Sequence, residues 1–174
     1  MDLNALMNTM LSGDSVAGLG EKTGASQAEV KNVLSAALPA LLNGAKGQAE
    51  DSASGFAGAL AAHGKADTSN LGAFLSNVDL EDGGKIIGHL LGGQQQKATQ
   101  AAAERAGVDV QKSGNILSAA APLLMSLLGQ QTQGQQGQGG GLDLGGLLGG
   151  LLGGGGNGGG LDLGGLLGGI LGGK

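Results

Sequence analysis

"EKTGASQAEVKNVLSAALPALL", Glu21–Leu42, and "ERAGVDVQKSGNILSAAAPLLM", Glu104–Met125, align without a gap at an offset of 83 residues. Within them, Asn32–Pro39 and Asn115–Pro122 differ at two positions. Agreement of this extent indicates an internal duplication. Each copy reads as a short helix, a turn at a glycine and a long helix that contains a proline, which predicts an all-α fold.

The long helix of the first copy has the clearest pattern. Its apolar side chains recur with the spacing of one helix face, at Val30, Val33, Leu34, Ala37, Leu38, Leu41 and Leu42. Ser26 and Glu29 have the spacing of a capping box, in which each side chain accepts a hydrogen bond from the other residue's backbone. Asn43-Gly44 predicts the end of this helix, and Pro39 predicts a bend within it.

The second copy predicts a matching helix over 109–128. Its apolar stripe consists of Ile116, Leu117, Ala120, Ala121, Leu124, Met125 and Leu128. Further helices are predicted over 47–62, 69–76 and 83–91. We expect Gly84–Gly93 to be the segment of the second copy that corresponds to Leu3–Leu11 in the first. The two proline-containing helices are expected to cross as a central pair in a compact multihelical domain, since small Ala and Ser side chains permit close approach.

Glycine divides the chain into three parts. Half of the 40 glycines lie in the last 36 residues, and the helix-forming stretches end at Leu128. Residues 129–141 read as a mobile Gln/Gly linker. Residues 142–174 form a low-complexity tail with two units, Leu142–Gly154 and Leu161–Gly173, which differ only at Leu151/Ile170. The sequence therefore predicts a helical domain over 1–128, a linker and a duplicated Leu-Gly tail.

The tail permits three structural interpretations. As an isolated helix in water it would be unstable, because each interior glycine costs roughly 0.8–1 kcal/mol relative to alanine. Against another helix or in lipid, glycine rows such as Gly145, Gly149 and Gly153 would allow close backbone approach. As a strand, each unit would be apolar on both faces and prone to pair with copies of itself. The third interpretation is a disordered, adhesive appendage.

Assembly is the function that the tail favours, because its side chains can do little except pack. We expect the chain to be a non-enzymatic structural protein that forms homo-oligomers or polymers. The predicted self-association residues are Leu147, Leu148, Leu151, Leu152, Leu166, Leu167, Ile170 and Leu171. One alternative is a membrane-associated protein anchored by its glycine rows, although each unit is shorter than the roughly 20 residues of a bilayer span. Another is a nucleic-acid-binding regulator.

Charge and composition narrow the partners and the compartment. The net charge is −5 and the cations are scattered, which disfavours nucleic acid as a partner. Cysteine is absent, which excludes disulfides and thiolate metal sites. The N-terminus lacks the pattern of a secretory signal, so cytoplasmic retention is expected, with membrane association or non-classical export as alternatives. We expect no cofactor and no metal.

Four short motifs have chemical interpretations that we weigh against structural ones. The Val16–Leu38 stretch has helix-turn-helix spacing, with Gln27, Glu29 and Lys31 as the candidates to face a DNA major groove, but an ordinary helical hairpin is favoured. Asn77–Gly84 gathers three acids, yet Asp82 stands where an EF-hand loop needs glycine, which favours a solvated turn near a helix start.

Histidine and serine offer no catalytic or metal-binding pattern either. His63 and His89 are the only histidines, and neither has a second histidine at the i+4 spacing of a helical zinc site. We expect His89 to face the core or a partner. Ser35 and Ser118 recur in the duplication without a nucleophile elbow, and we expect them to pack as small residues.

Three segments in order carry a resemblance to a known family: EKTGASQAEV with VLSAALPALLNG, GGKIIGHLLGG, and AAAERAGVDVQKSGNILSAAAPLLMSLLG. Together they resemble the YidB-like family of bacterial proteins of unknown function, over about residues 1–128. The resemblance implies a compact all-helical fold and a bacterial source. It implies no catalytic residues, and the Leu-Gly tail lies outside it.

Overall fold

The structure is a computed structural model that describes residues 3–134. These residues form a multihelical domain, as predicted, and they contain no strand. Its eight α-helices are α1 (Leu3–Met10), α2 (Gly13–Thr23), α3 (Gln27–Asp51), α4 (Ala53–His63), α5 (Leu71–Ser76), α6 (Leu80–Leu91), α7 (Gln95–Ala106) and α8 (Val110–Gly134), with a 3₁₀ turn over Gly92–Gln94 between α6 and α7.

The capping box at the start of α3 forms as predicted. The Ser26 N–H donates to Glu29 Oε2 at 2.7 Å, and the Glu29 N–H donates to Ser26 Oγ at 3.3 Å. The predicted apolar stripe of α3 is buried throughout. The helix continues through Pro39 and past Asn43-Gly44 to Asp51, so the predicted end at Gly44 is wrong.

Gly44 is a packing residue rather than a helix terminator. A Cβ atom on Gly44 would overlap the Leu90 carbonyl oxygen, so α6 lies directly against the backbone of α3 there. The predicted helix over 47–62 is therefore divided between two elements. Its first residues belong to α3, and α4 begins after Ser52, whose backbone leaves the helical region at φ −138° and ψ 46°.

The centre of the domain is α8. Thirteen of its residues from Ile116 to Gly129 are buried, with Ser118 as the one exception in that stretch, so the helix is enclosed on all sides. It packs most extensively against α6, α4 and α7, and also contacts α1, α2 and α3. A helix that is apolar all round is the kind that occupies a core. The expected central pair is thus unequal: α3 contacts α8 but leaves Ser35 and Pro39 exposed.

The duplication is visible in the backbone. Gly24 and Gly107, which are equivalent at the offset of 83, both end their helices in the left-handed conformation at φ 70°. At the next turn, Ser26 caps α3 and Asp109 accepts the Lys112 N–H at 2.7 Å. The packing also crosses between copies, since α2 contacts α8 while α7 contacts α3. The two copies therefore fold alike, and the short helix of each copy also packs against the long helix of the other.

The boundaries of α6 and α8 also differ from those predicted. α6 begins at Leu80 rather than at Gly83, because the Asp79 side chain caps it by accepting the Glu81 N–H at 2.8 Å. α8 continues past Leu128 because tertiary contacts hold its next turn. A Cβ on Gly129 would overlap the Leu60 carbonyl oxygen of α4, and the Gln130 amide donates to the Ala66 carbonyl at 3.1 Å.

Candidate docking groove

A groove of about 340 Å³ opens between α3, α4, α6 and α8. Phe56, Leu90 and Met125 line it and are buried, so they form an apolar floor. Ser52, Gly55 and His89 also line it but are exposed, which places them at its mouth. Its volume and mainly apolar lining lie in the range of protein sites that bind small molecules or apolar side chains.

Both histidines of the chain line this groove. His89 lies on α6 and is exposed, whereas His63 ends α4 and is half-buried. His89 does not face the core, because it is exposed and lines the groove. That it faces a partner stays a prediction. Among the residues that line the groove there is no carboxylate and no lysine or arginine. The two imidazoles are therefore its only ionisable groups.

The sequence did not reveal this convergence. His63 and His89 lie on different helices, and no spacing rule for one helix joins them. They line the same groove because α4 and α6 both pack against α8. The one signal in the sequence was that the chain has only two histidines, which is too little to place them together.

A second cavity, of about 460 Å³, shares His63 and gathers Asp67, Asp79 and Asp82. Each of the first two carboxylates supports a local turn. Asp79 caps α6, and Asp67 accepts the Ser69 N–H at 2.9 Å. The Ser69 side chain, and then this backbone hydrogen bond, lower the pKa of Asp67. Asp82 lies in the first turn of α6, as predicted for this stretch. Within residues 3–134, no group of three His, Asp or Glu side chains could hold a metal ion.

The helix-turn-helix look-alike is a helical hairpin whose second helix is attached to α8. Three residues of this stretch are candidates for contact with a DNA major groove, and two of them, Gln27 and Lys31, are exposed. Glu29 instead accepts a hydrogen bond from Lys112 Nζ of α8 at 3.1 Å. The first turn of α3 thus presents a carboxylate that is already paired, which gives no support to phosphate binding.

The two repeated serines have different surroundings. Ser118 lies under α6, where a Cβ on Gly83 would overlap its carbonyl oxygen and a Cβ on Gly84 would lie 3.6 Å from its Oγ. The prediction that this serine packs as a small residue is confirmed. For Ser35 the prediction is wrong, because its side chain is exposed on α3.

The predicted self-association residues, Leu147 to Leu171, lie outside the described residues, as do the tail units that contain them. Residues 135–141 of the predicted linker also lie outside. In the part of the chain that the structure describes, no helix is both long and apolar enough to cross a membrane.

The comparisons with known proteins identify a family but no function. No curated protein and no solved structure matches the chain. Residues 5–131 match the family described as "Bacterial protein of unknown function (DUF937)", which agrees with the YidB-like resemblance. That match covers α2 to α7 completely and most of α1 and α8. The chain therefore belongs to the DUF937 family of bacterial proteins of unknown function.

Proposed function

We propose that this protein is a non-enzymatic assembly protein that self-associates through its Leu-Gly tail. The observation that carries the proposal is the near-identity of Leu142–Gly154 and Leu161–Gly173. Two equivalent adhesive units on one chain allow each molecule to contact two others, whereas a single unit would tend to stop at a dimer. The helical domain is then the body that the tail joins to its neighbours.

The chemistry of the tail supports assembly over catalysis. Between Gly139 and Lys174 its only side chains other than Leu, Ile and Gly are two aspartates, one asparagine and the final lysine. Such a segment has apolar surface to bury, and its only possible nucleophiles or general bases are those carboxylates and the amine of the final lysine. The eight apolar residues from Leu147 to Leu171 named above are the proposed contacts. Asp143 and Asp162 would limit uncontrolled stacking, as charges at strand edges do.

Replacing Leu147, Leu148, Leu166 and Leu167 with serine tests the proposal. Sedimentation should show the full chain as large species and the variant as small ones, with unchanged helicity by circular dichroism. The matched control replaces Gln133, Gln135, Gln136 and Gln138 with serine, which makes four substitutions just before the first unit without removing apolar surface. The control should assemble like the parent.

Two other outcomes would redirect the assignment. Unchanged assembly in the leucine variant would place the contacts on the helical body. If the parent binds lipid vesicles, and the leucine variant loses that binding without a change in particle size in lipid-free buffer, the membrane-anchor alternative would replace self-association.

A further inference from the structure

We propose that the groove between α3, α4, α6 and α8 is the docking site for the first Leu-Gly unit, Leu142–Gly154, of the same chain. The groove has an apolar floor of Phe56, Leu90 and Met125, and α6 contributes a half-buried Ile86 to its wall. An occupant must therefore supply apolar side chains. The unit supplies six leucines, which are Leu142, Leu144 and the adjacent pairs at 147–148 and 151–152.

The length of chain between the groove and the unit permits this contact. Met125 lines the groove, and the described part of α8 ends nine residues later at Gly134, about 13.5 Å farther along the helix. Eight more residues reach Leu142, and fully extended they span about 26–29 Å. The chain can therefore turn back over the last turns of α8 and bring the unit to the groove.

The hydrogen-bonding groups of the unit and the groove are complementary. The unit has one ionisable side chain, Asp143, and the ionisable side chains of the groove are His63 and His89. Imidazole N–H groups can donate to a carboxylate that would otherwise be placed beside an apolar surface. No carboxylate lines the groove to repel Asp143.

The unit also repeats the sequence pattern of α6. The shared twelve-residue pattern is D-x-G-x-h-h-G-x-h-h-G-G, where h is Leu or Ile and x is any residue. It occurs at Asp82–Gly93, Asp143–Gly154 and Asp162–Gly173. In α6 this pattern buries Ile87 and Leu90 between neighbouring helices. A tail unit in helical form would have side chains suited to the same kind of packing.

One departure from α6 determines where the unit can bind. Leu144 stands where α6 has Gly83, the residue whose position beside the Ser118 carbonyl leaves no room for a side chain. The unit therefore cannot take the place of α6 on α8. It can lie in the adjacent groove, where no such backbone contact is required.

Docking within one chain is favoured over docking between chains. The unit is covalently joined to the helical domain through a short segment, and such tethering gives an effective concentration in the millimolar range, which exceeds that of other molecules in dilute solution. One groove accepts one unit, so in the dilute monomer the first unit is docked and the second unit, Leu161–Gly173, is not. In the proposed assembly both units contact other copies, so the first unit leaves the groove when chains associate. Docking in the monomer does not depend on that assembly.

Fluorescence can test the docking, because the chain has no Trp and no Tyr. Leu148→Trp in the full chain places a single reporter in the first unit. Its emission should be shifted to shorter wavelength, as expected for a buried indole, and the shift should not change on dilution. Leu167→Trp, in the second unit, should emit as a solvated indole at the dilution where the chain is monomeric by light scattering.

A matched pair of glycine variants tests the groove itself. Gly55 and Gly58 are both exposed on α4, and a Cβ on either meets no atom within 4 Å, but only Gly55 lines the groove. Combined with Leu148→Trp, Gly55→Glu should move the emission to that of a solvated indole, since it adds a carboxylate beside Asp143. Gly58→Glu should leave the emission shifted, and both variants should retain the thermal stability of the parent.

Three results would overturn the proposal. One is solvated emission from Leu148→Trp at every concentration. Another is an equal response to Gly55→Glu and Gly58→Glu. The third is a shift that appears only as concentration rises, which would assign the first unit to a second copy. Particle size, measured separately, reports on the assembly proposal, so the failure of either proposal can be recognised without the other.

Discussion

Glu29 and Lys112 occupy equivalent positions in the two copies of the duplication, 83 residues apart, and they pair with each other at 3.1 Å. Equivalent residues that touch must lie close to the axis that relates the copies. Each is the third residue of its long helix after the cap, at Ser26 in one copy and Asp109 in the other. The starts of α3 and α8 therefore meet at this ion pair, which joins the two copies.

The equivalence of the two positions makes a charge exchange informative. Glu29→Lys or Lys112→Glu alone should lower the melting temperature, because each places two like charges in contact. The double variant should recover part of the loss, since the attraction is restored and a glutamate three residues after Asp109 is well placed near a helix start. Thermal melts in low salt would measure this. Equal additive losses in the double variant would show that the pair contributes nothing to the junction.

The same carboxylate should make stability depend on pH. The Ser26 backbone N–H, and then Lys112, lower the pKa of Glu29. The unfolded chain, with a glutamate pKa of about 4.3, therefore binds this proton at higher pH than the folded chain does. The stabilisation from Glu29 is present above that value and is lost as the pH falls through the lowered folded pKa.

Glu29→Gln isolates this contribution. Denaturant unfolding should show the variant less stable than the parent at pH 7, and the difference should shrink toward zero as the pH falls below about 4. Glu21→Gln, an exposed position on α2, serves as the control and should differ little from the parent at either pH. A Glu29→Gln deficit of the same size at pH 7 and pH 3 would contradict the assigned role.

The duplicated core predicts that the described domain depends on both long helices. Leu34 and Leu117 are equivalent and fully buried. Replacing either one with aspartate should unfold a fragment of residues 1–134, because an unpaired charge would enter the core. Ser35→Asp, next to Leu34 but exposed, should leave the fragment folded. Circular dichroism would report the outcome. A mostly unstructured parent fragment would contradict the expectation that this domain folds without the tail.

The local features of the fold were predictable from sequence, while its tertiary contacts were not. The capping box at Ser26 and Glu29 and the turn glycines of both copies follow from local backbone chemistry, so pattern alone identifies them. The same rules predict a helix end at Gly44, but Gly44 lies inside α3. The backbone of α6 packs so close to it that a side chain would not fit. The groove depends on how α4 and α6 pack against α8, which no periodicity within one helix reports. The residues proposed for self-association lie in the tail, beyond the described residues.

Gly83 and Gly84 provide a direct test of the contact that holds α6 on the central helix. The two residues are neighbours on α6, and both lie beside Ser118. A Cβ on Gly83 would overlap the Ser118 carbonyl oxygen, which belongs to the backbone of α8 and cannot move alone. Pro122 lies four residues after Ser118 and has no N–H, so this carbonyl lacks its usual helical donor and is free to face the α6 backbone.

Gly83→Ala should therefore force α6 away from α8 and lower stability by about 1–3 kcal/mol, the usual cost of overpacking a core. Gly84→Ala should be neutral or stabilising by up to about 1 kcal/mol. Its Cβ would lie at an ordinary 3.6 Å from Ser118 Oγ, and alanine favours the helix over glycine. Denaturant unfolding of both variants in the full chain would measure the difference. Because helix propensity acts alike at the two positions, opposite signs would isolate the backbone contact, whereas equal changes would show that α6 does not rest on the Ser118 carbonyl.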